Sequence, residues 1–521
     1  MPRQFNTAGP NDPDKHYTLP PLERIPADLK SMVESANYFV LHAPRQSGKT
    51  TSMMAFADLL RVDGRWAVIY ATLETARNIA DEKTALPKIV DAIAKASLVY
   101  LPAQEHSPQW AEFADEANML GAFLTAWCAR LSRPLVLILD EIDSLDGAPL
   151  MAVLSQLRAG YLTRKAAPFP ASVCLFGMRN IRDYKAASGG SPNIGTSSPF
   201  NVSKRAVTVA YFTRAEIAEL YGQHTAEAGQ TFTAAATDRV WQLTRGQPFL
   251  VNALADFVIR DQKWAGPIDI AQIDRAKEQL ILARVTHIDS LMARLREDRV
   301  RRVLEPMLSS ERGDRDFSND EDVEYCRDLG LIADVDGQLD IANEIYREVI
   351  PRQLTAFPQS KILRLTPTWL REDGGIAVDV LLREFAAFWR QNGEWMVKKA
   401  DWPEAAQQIV FMAYLQKVVN GGGAIHREYG AGRMRLDLLV EWPCSAGLQR
   451  FAIELKVWRD EREDPQAEGL AQLDEYLLRL GLNEGTLVVF DARTAAAPFA
   501  QRGQVHEATS ASGRKVAVWR L

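Results

Sequence analysis

One short run limits what this chain can fold into more than any other feature. Ala43-Pro44-Arg45-Gln46-Ser47-Gly48-Lys49-Thr50 follows the apolar segment YFVLHA and precedes a helix-forming stretch. The run matches GxxxxGK[ST], with Ala43 in place of the first glycine. The spacing has a chemical reason. A loop between a strand and a helix turns its backbone N–H groups inward, where they cradle phosphate oxygens. Gly48 permits close backbone approach, Lys49 places a point charge on the β- and γ-phosphates, and Thr50 offers a hydroxyl to Mg²⁺. With Thr51, these residues are the expected cofactor-binding set, and the expected cofactors are ATP and Mg²⁺.

A P-loop needs a sheet to deliver it. YFVLHA, WAVIYATLE, PLVLILDE and SVCLFGM are short continuous apolar runs, which suit parallel strands covered on both faces. The segments between them are long enough for crossover helices, so the fold class is α/β with a parallel sheet. Leu135–Leu139 leads into Asp140-Glu141. A buried strand ending in two carboxylates is a Walker B pattern, in which Asp140 holds Mg²⁺ and Glu141 polarises the attacking water. A third strand ends at Arg179 and Asn180, where a polar side chain can sense the γ-phosphate. Glu74 ends another strand. Lys204 and Arg205 read either as charge-stabilising or as solvated surface residues.

Composition bounds the rest. The chain has 521 residues, 61 basic and 67 acidic, with a net charge of -6. Two to four domains fit that length. The charge balance neither announces nor excludes a nucleic-acid partner, because phosphate contacts need a local basic patch. Cys128, Cys174, Cys326 and Cys444 form no CxxC pair, which fits a reducing compartment without a zinc site or disulfide framework. The proline-rich N-terminus lacks an apolar signal region, and no apolar run reaches about 18 residues, so no membrane segment is expected. The expected location is the cytoplasm.

The pattern divides the chain into a lead-in over 1–35, a P-loop core over 36–210 and a helical lid over 211–285. A winged helix is expected over 286–350, a helical connector over 351–400 and a last α/β domain over 401–521. The winged helix rests on DVEYCRDLGLI followed by two short strands around Asp336-Gly337. Before it, a helix carries Arg294, Arg296, Arg299, Arg301 and Arg302. It reads as a solvated face beside Glu297 and Asp298, with a DNA-backbone face as the alternative.

HAPRQSGKTT, LILDEID, FGMRNIRDY and Gly246-Gln247-Pro248 together resemble the archaeal-type ATPases of the STAND/AAA+ superfamily, over about residues 8–350. The resemblance implies that the Gly-x-Pro motif belongs to a lid over the nucleotide and that a winged helix follows it. It also implies that the chain can assemble as a homo-oligomer.

The last domain carries a second constellation. Asp437 lies in the strand pattern RLDLLV, and Glu454-Leu455-Lys456 lies in FAIELKVW. Glu454 and Lys456 share a face in a two-residue period. If the two strands pair as a hairpin, Asp437 meets them, two carboxylates hold Mg²⁺, and Lys456 positions or activates water. Residues 400–495 resemble the PD-(D/E)XK nuclease superfamily, which implies a restriction-endonuclease-like α/β domain. The resemblance adds Glu404 as a further metal ligand, Gln472 and Tyr476 on the following helix, and Arg433 as a phosphate contact.

The resulting expectation is an ATP-binding and ATP-hydrolysing P-loop protein that controls a metal-dependent nuclease acting on nucleic acid, DNA before RNA. Its implied setting is prokaryotic genome maintenance or anti-phage defence. The alternative is a nucleotide-dependent signalling switch or DNA-binding regulator whose nuclease-like domain binds without cutting.

Overall fold

Apolar residues that are buried on both faces build the first sheet. In the computed structural model, β1 (Tyr38–His42), β2 (Ala67–Thr72), β3 (Leu135–Asp140), β4 (Ser172–Gly177) and β5 (Val207–Thr208) run parallel in the order β2-β3-β4-β1-β5. The structure describes residues 2–114, 118–177, 207–283, 293–308, 321–335, 338–354, 368–398, 405–419, 423–431 and 434–521. They fall into two compact units, Met1–His287 with Val323–Asp334, and Ile288–Asp322 with Val335–Leu521.

In the first unit, α1 (Leu29–Glu34) and α2 (Lys49–Asp63) cover one face of the sheet, while α3 (Glu82–Tyr100), α4 (Met119–Cys128) and α5 (Gly147–Thr163) cover the other. Alternation within the strands feeds both cores. Leu135, Leu137 and Leu139 join Ile89 and Phe123, whereas Val136 and Ile138 join Phe39 and Phe56. Each such side chain contributes roughly 1.5–3 kcal/mol through burial. The register sets His42 beside Gly177 and Thr72 beside Asp140. The carboxyl ends of the strands therefore lie level, which is where open parallel sheets bind ligands.

Beyond the sheet come α6 (Arg214–Ala228), α7 (Ala234–Thr244), α8 (Pro248–Asp256) and α9 (Ile270–Leu282). Capping boxes start α6 at Thr213 and α9 at Asp269. The apolar stretch that reads as helix from Phe232 onward is interrupted where Arg245 and Gly246 take φ of 48° and 80°. The lead-in is packed against α6: Phe5 and Tyr17 are buried against Tyr221 and His224, with the Tyr17 hydroxyl 3.1 Å from His224 Nδ1.

Glu321–Asp328 is helical, and the short strands β6 (Ile332–Val335) and β7 (Gln338–Ile341) follow. The expected turn at Asp336-Gly337 lies outside the described residues. Asp328 pairs with His42 Nε2 at 2.8 Å.

In the second unit the arginine-rich helix spans Asp298–Leu308, so Arg294 and Arg296 precede it. Arg294 pairs with Glu297, Arg301 with Asp298, and both Arg299 and Arg302 with Asp322. Those carboxylates compete for the charges that a DNA backbone would use.

The main sheet of this unit has the order β12-β13-β11-β10-β9-β8 among the described residues. Its strands are β8 (Ala424–Ala431), β9 (Met434–Cys444), β10 (Gly447–Trp458), β11 (Glu484–Asp491), β12 (Gln504–Thr509) and β13 (Lys515–Arg520). Helices α10 (Val378–Lys398) and α11 (Ala406–Val419) pack on one face through Phe385, Trp389, Phe411 and Tyr414, and α12 (Gln466–Leu480) packs on the other through Leu473, Tyr476 and Leu477. No described helix is long and apolar enough to cross a membrane.

Candidate functional site

The P-loop leaves β1 as the sequence anticipates. Ala43 donates its N–H to Gly177 O at 3.0 Å. Gln46 and Gly48 take positive φ of 56° and 86°, the left-handed region that turns successive N–H groups to one side. Ala43 is not among the positive-φ residues, so its methyl group is compatible with the turn. Gly48 immediately precedes α2, and Lys49 and Thr50 are that helix's first two residues. They stand at its positive dipole end. Ser47 is fully buried with its Oγ unpartnered among the described residues, and Lys49 is buried with Nζ 5.8 Å from the Phe176 ring centroid. Pro44 is buried, Arg45 and Gln46 are exposed, and Thr51 Oγ1 accepts the Asn11 N–H at 3.0 Å.

β3 brings its carboxylate to the same place. Asp140 Oδ2 accepts from the Thr50 hydroxyl at 3.1 Å and from the Tyr70 hydroxyl at 2.5 Å, while Oδ1 accepts the Glu141 N–H at 2.8 Å. Tyr70, on β2, was not anticipated, because an aromatic in a buried strand reads as core. Burial first and the Asp140 charge second push its pKa above the ordinary phenol value, so it stays a donor. Glu141 adopts φ 59°, ψ 40°, a costly conformation for a side-chain-bearing residue that appears where function demands it. Its carboxylate meets Arg77 Nη2 at 3.4 Å, and Arg77 also holds Glu74 at 3.2 Å. Glu74 is thus a partner of Arg77 on an exposed turn.

Residues 246–248 reach the P-loop through Gln247. Gln247 is fully buried, donates Nε2 to Gln46 O at 3.3 Å and accepts the Leu250 N–H at 2.7 Å. A Cβ on Gly246 would stand 1.8 Å from Phe212 O, so only glycine allows these two backbone segments to pack so closely. A solvent-open cleft extends from Ser47 and Gly48 between the lead-in and the residues around Phe212 and Phe249. Asn6, Asn11, Leu19, Phe212, Phe249 and Asn252 are among its lining residues. Nothing in the sequence marked the lead-in as a wall. Its polar, proline-broken text reads as a tail.

Hard oxygen donors from Thr50 and Asp140, already within hydrogen-bond distance of each other, suit Mg²⁺, and the unpartnered Ser47 hydroxyl suits a phosphate oxygen. Arg179, Asn180, Lys204 and Arg205 lie outside the described residues.

The second constellation lies on β10. Ile453 pairs with Leu438 in antiparallel register, so the next position places Glu454 opposite Asp437 on β9. Glu454 and Lys456 are both buried, with Nζ 3.4 Å from Glu454 Oε1. From α12, Gln472 Oε1 accepts from Lys456 Nζ at 2.5 Å and Glu468 Oε1 at 3.2 Å, and Gln472 Nε2 bonds Glu468 at 3.1 Å. Glu468 was missed in the sequence, where only its position four residues before Gln472 could have pointed to it. Gly469 lets α12 close on the strand: a Cβ there would stand 2.6 Å from Leu487 Cδ1 and 3.3 Å from Lys456 Cγ. Tyr476 is buried in the apolar core under the helix. Glu404, Arg433 and the Asp437 side chain lie outside the description. Among the described residues no group of three or more His, Cys, Asp or Glu side chains is arranged to hold a metal.

No family model and no curated protein matches this sequence. Among solved structures, the chain is similar to a Walker-type ATPase of Pyrococcus abyssi, at 14% identity and TM-score 0.46, covering 66% of this chain and 99% of that one. It is also similar to Cdc6p of Pyrobaculum aerophilum, at 14% identity and TM-score 0.34, covering 64% and 96%. For the RuvB Holliday junction branch migration motor of Thermotoga maritima the values are 14% and 0.30, covering 62% and 91%. The chain's own geometry, a parallel sheet with Lys49-Thr50 at the head of α2 facing Asp140-Glu141 at the end of β3, is a P-loop nucleotide-site arrangement.

Proposed function

We propose that the first unit binds and hydrolyses a nucleoside triphosphate, ATP, with Mg²⁺. The observation that carries this reading is the Thr50 hydroxyl on the Asp140 carboxylate, beside a loop whose cation, hydroxyl and N–H groups converge. Lys49 and the loop N–H groups bind the β- and γ-phosphates, and Ser47 donates to a phosphate oxygen. Thr50 and Asp140 would hold the ion, which neutralises charge on the phosphates when bound. Glu141 orients the attacking water once Arg77 yields its carboxylate. The test is turnover and binding side by side. Glu141→Gln should lower ATP hydrolysis by roughly 100-fold or more while ATP still binds. Undiminished turnover in that variant would remove Glu141 from the chemistry.

We propose further that the second unit cleaves nucleic acid, DNA before RNA, under control of the nucleotide. Glu454 and Lys456 on one strand, with Asp437 opposite in register, support this reading. Asp437 and Glu454, with Glu404, would hold Mg²⁺, and Lys456 positions the water. A homo-oligomer and a role in prokaryotic genome maintenance or anti-phage defence come from the family resemblance alone. Cleavage of plasmid, linear DNA and RNA with Mg²⁺ or Mn²⁺, with and without ATP, tests it. Loss in Lys456→Ala supports the nuclease, and loss in Lys49→Ala as well supports nucleotide control. No cleavage by folded wild type under any condition leaves the second unit a nucleic-acid-binding module.

A further inference from the structure

The P-loop reads phosphates, which every nucleoside triphosphate carries, so the base must be read elsewhere in the cleft. Leu19, Pro21, Phe212, Pro248 and Phe249 supply apolar wall to the cleft, as a flat heteroaromatic ring requires. Most of the polar side chains there are satisfied internally. Asn6 Nδ2 donates to Gly9 O at 3.1 Å and to Asn11 Oδ1 at 2.7 Å, and Arg24 is held by Glu216 at 2.6 Å.

Asn252, on α8, is different. It is 5% exposed, it lines the cleft, and its Oδ1 has no hydrogen-bond partner among the described residues. Turning the amide round does not cure this. Asn252 Nδ2 donates to Pro248 O at 2.8 Å, and a flipped amide would set two oxygens against each other. The side chain is therefore fixed as an acceptor, and a buried acceptor without a donor is a standing cost that a ligand can relieve.

We infer that Asn252 Oδ1 is the base-reading group of the cleft, accepting a hydrogen bond from the 6-amino group of adenine. The inference rests on the reading of this cleft as a nucleoside triphosphate site. Guanine and hypoxanthine carry a carbonyl oxygen at position 6, which would face Oδ1 as a second acceptor, and a site built around one hydrogen bond rejects such analogues strongly. α8 also carries the Gln247 contact to Gln46 O, so the helix that reads the base is the one fastened to the phosphate loop.

The test deletes the hydrogen bond first from the ligand and then from the protein. Equilibrium binding to the full chain is measured for ATP, for purine riboside triphosphate, which lacks the 6-amino group, and for inosine triphosphate. Wild type should bind the purine analogue roughly 10-fold and inosine triphosphate roughly 100-fold more weakly than ATP. Asn252→Ala should bring the three within about 3-fold of one another, chiefly by weakening ATP. Asn252→Ser, whose hydroxyl can still donate to Pro248 O, is the second variant if the alanine protein fails to fold. Equal binding of ATP and the purine analogue to wild type overturns the inference, as does discrimination that persists in a folded Asn252 variant. If the triphosphates bind equally and Lys49→Ala abolishes binding, the base reading alone falls. If no triphosphate binds, the nucleotide reading falls and takes this inference with it.

Discussion

Two lysines, one in each unit, are buried to almost the same degree, 6% exposed for Lys49 and 9% for Lys456. Their surroundings are opposite. Lys49 looks across at the face of Phe176 and makes no ion pair among the described residues. Lys456 is held by Glu454, Glu468 and Gln472. Burying a charge is costly, and that cost has to be met from somewhere. At Lys49 the positive helix end and the inward N–H groups do not meet it, and an anion arriving from outside would. At Lys456 it is met by the protein's own carboxylates, so this ammonium serves as a fixed part of an acidic site. The same residue type at the same depth is left without a counter-charge among the described residues in one unit and is held by carboxylates in the other.

Four substitutions break or sharpen that contrast. The largest effect belongs to Lys456→Met, which strips the ammonium from the buried Glu454 and should cost about 3 kcal/mol of stability. Urea unfolding measures it, and a midpoint equal to wild type would mean that the carboxylates do not depend on the cation. Next is Lys49→Met, with the opposite signature: no loss of stability without ligand, but ATP affinity lower by on the order of 100-fold. If Lys49→Met instead unfolds easily, the contrast between the two lysines collapses.

Gly469→Ala should cost about 1–3 kcal/mol by wedging α12 from the sheet. It should also loosen the grip of Glu468 and Gln472 on Lys456, seen as weaker Mg²⁺-dependent cleavage out of proportion to the stability change. Tyr70→Phe is the mildest. It removes one of two hydroxyl donors from Asp140 Oδ2, with an expected cost of about 1 kcal/mol, and should shift the Mg²⁺ concentration needed for ATP turnover more than the maximal rate. An unchanged Mg²⁺ requirement would confine Tyr70 to packing.

The parts legible in the sequence are those where chemistry dictates spacing. Gly48-Lys49-Thr50 and Asp140-Glu141 are contiguous and follow apolar strands, so their meeting was readable before any fold was seen. The pairing of β9 with β10 was readable from two alternating segments flanking one turn. Groups that act through distant contacts were not. Asn252 sits in an apolar helix, and the orientation of its amide is set by Pro248 O, a contact the sequence does not display. The cleft wall around Asn6 lies far from the P-loop in sequence and has no periodicity of its own. The stretch after residue 351 reads as a connector because its helix signal gives no destination, whereas Phe385 and Trp389 are fully buried under the six-stranded sheet. β12 was overlooked because most of its residues are exposed, leaving no apolar stripe to read.

The contact at Gly246 has a mechanical consequence. Because its α-carbon lies against the Phe212 carbonyl with no room for a methyl group, and Phe212 donates its N–H to Gly246 O at 2.9 Å, the approach of these two segments is set by main chain against main chain. Side-chain repacking cannot readily compensate for a change there. A single added carbon at this position would act as a shim between them, and the first contact to feel it is that of the next residue, Gln247, with Gln46 O. Gly246 is therefore a place where the grip on the P-loop can be altered without changing any residue of the loop itself.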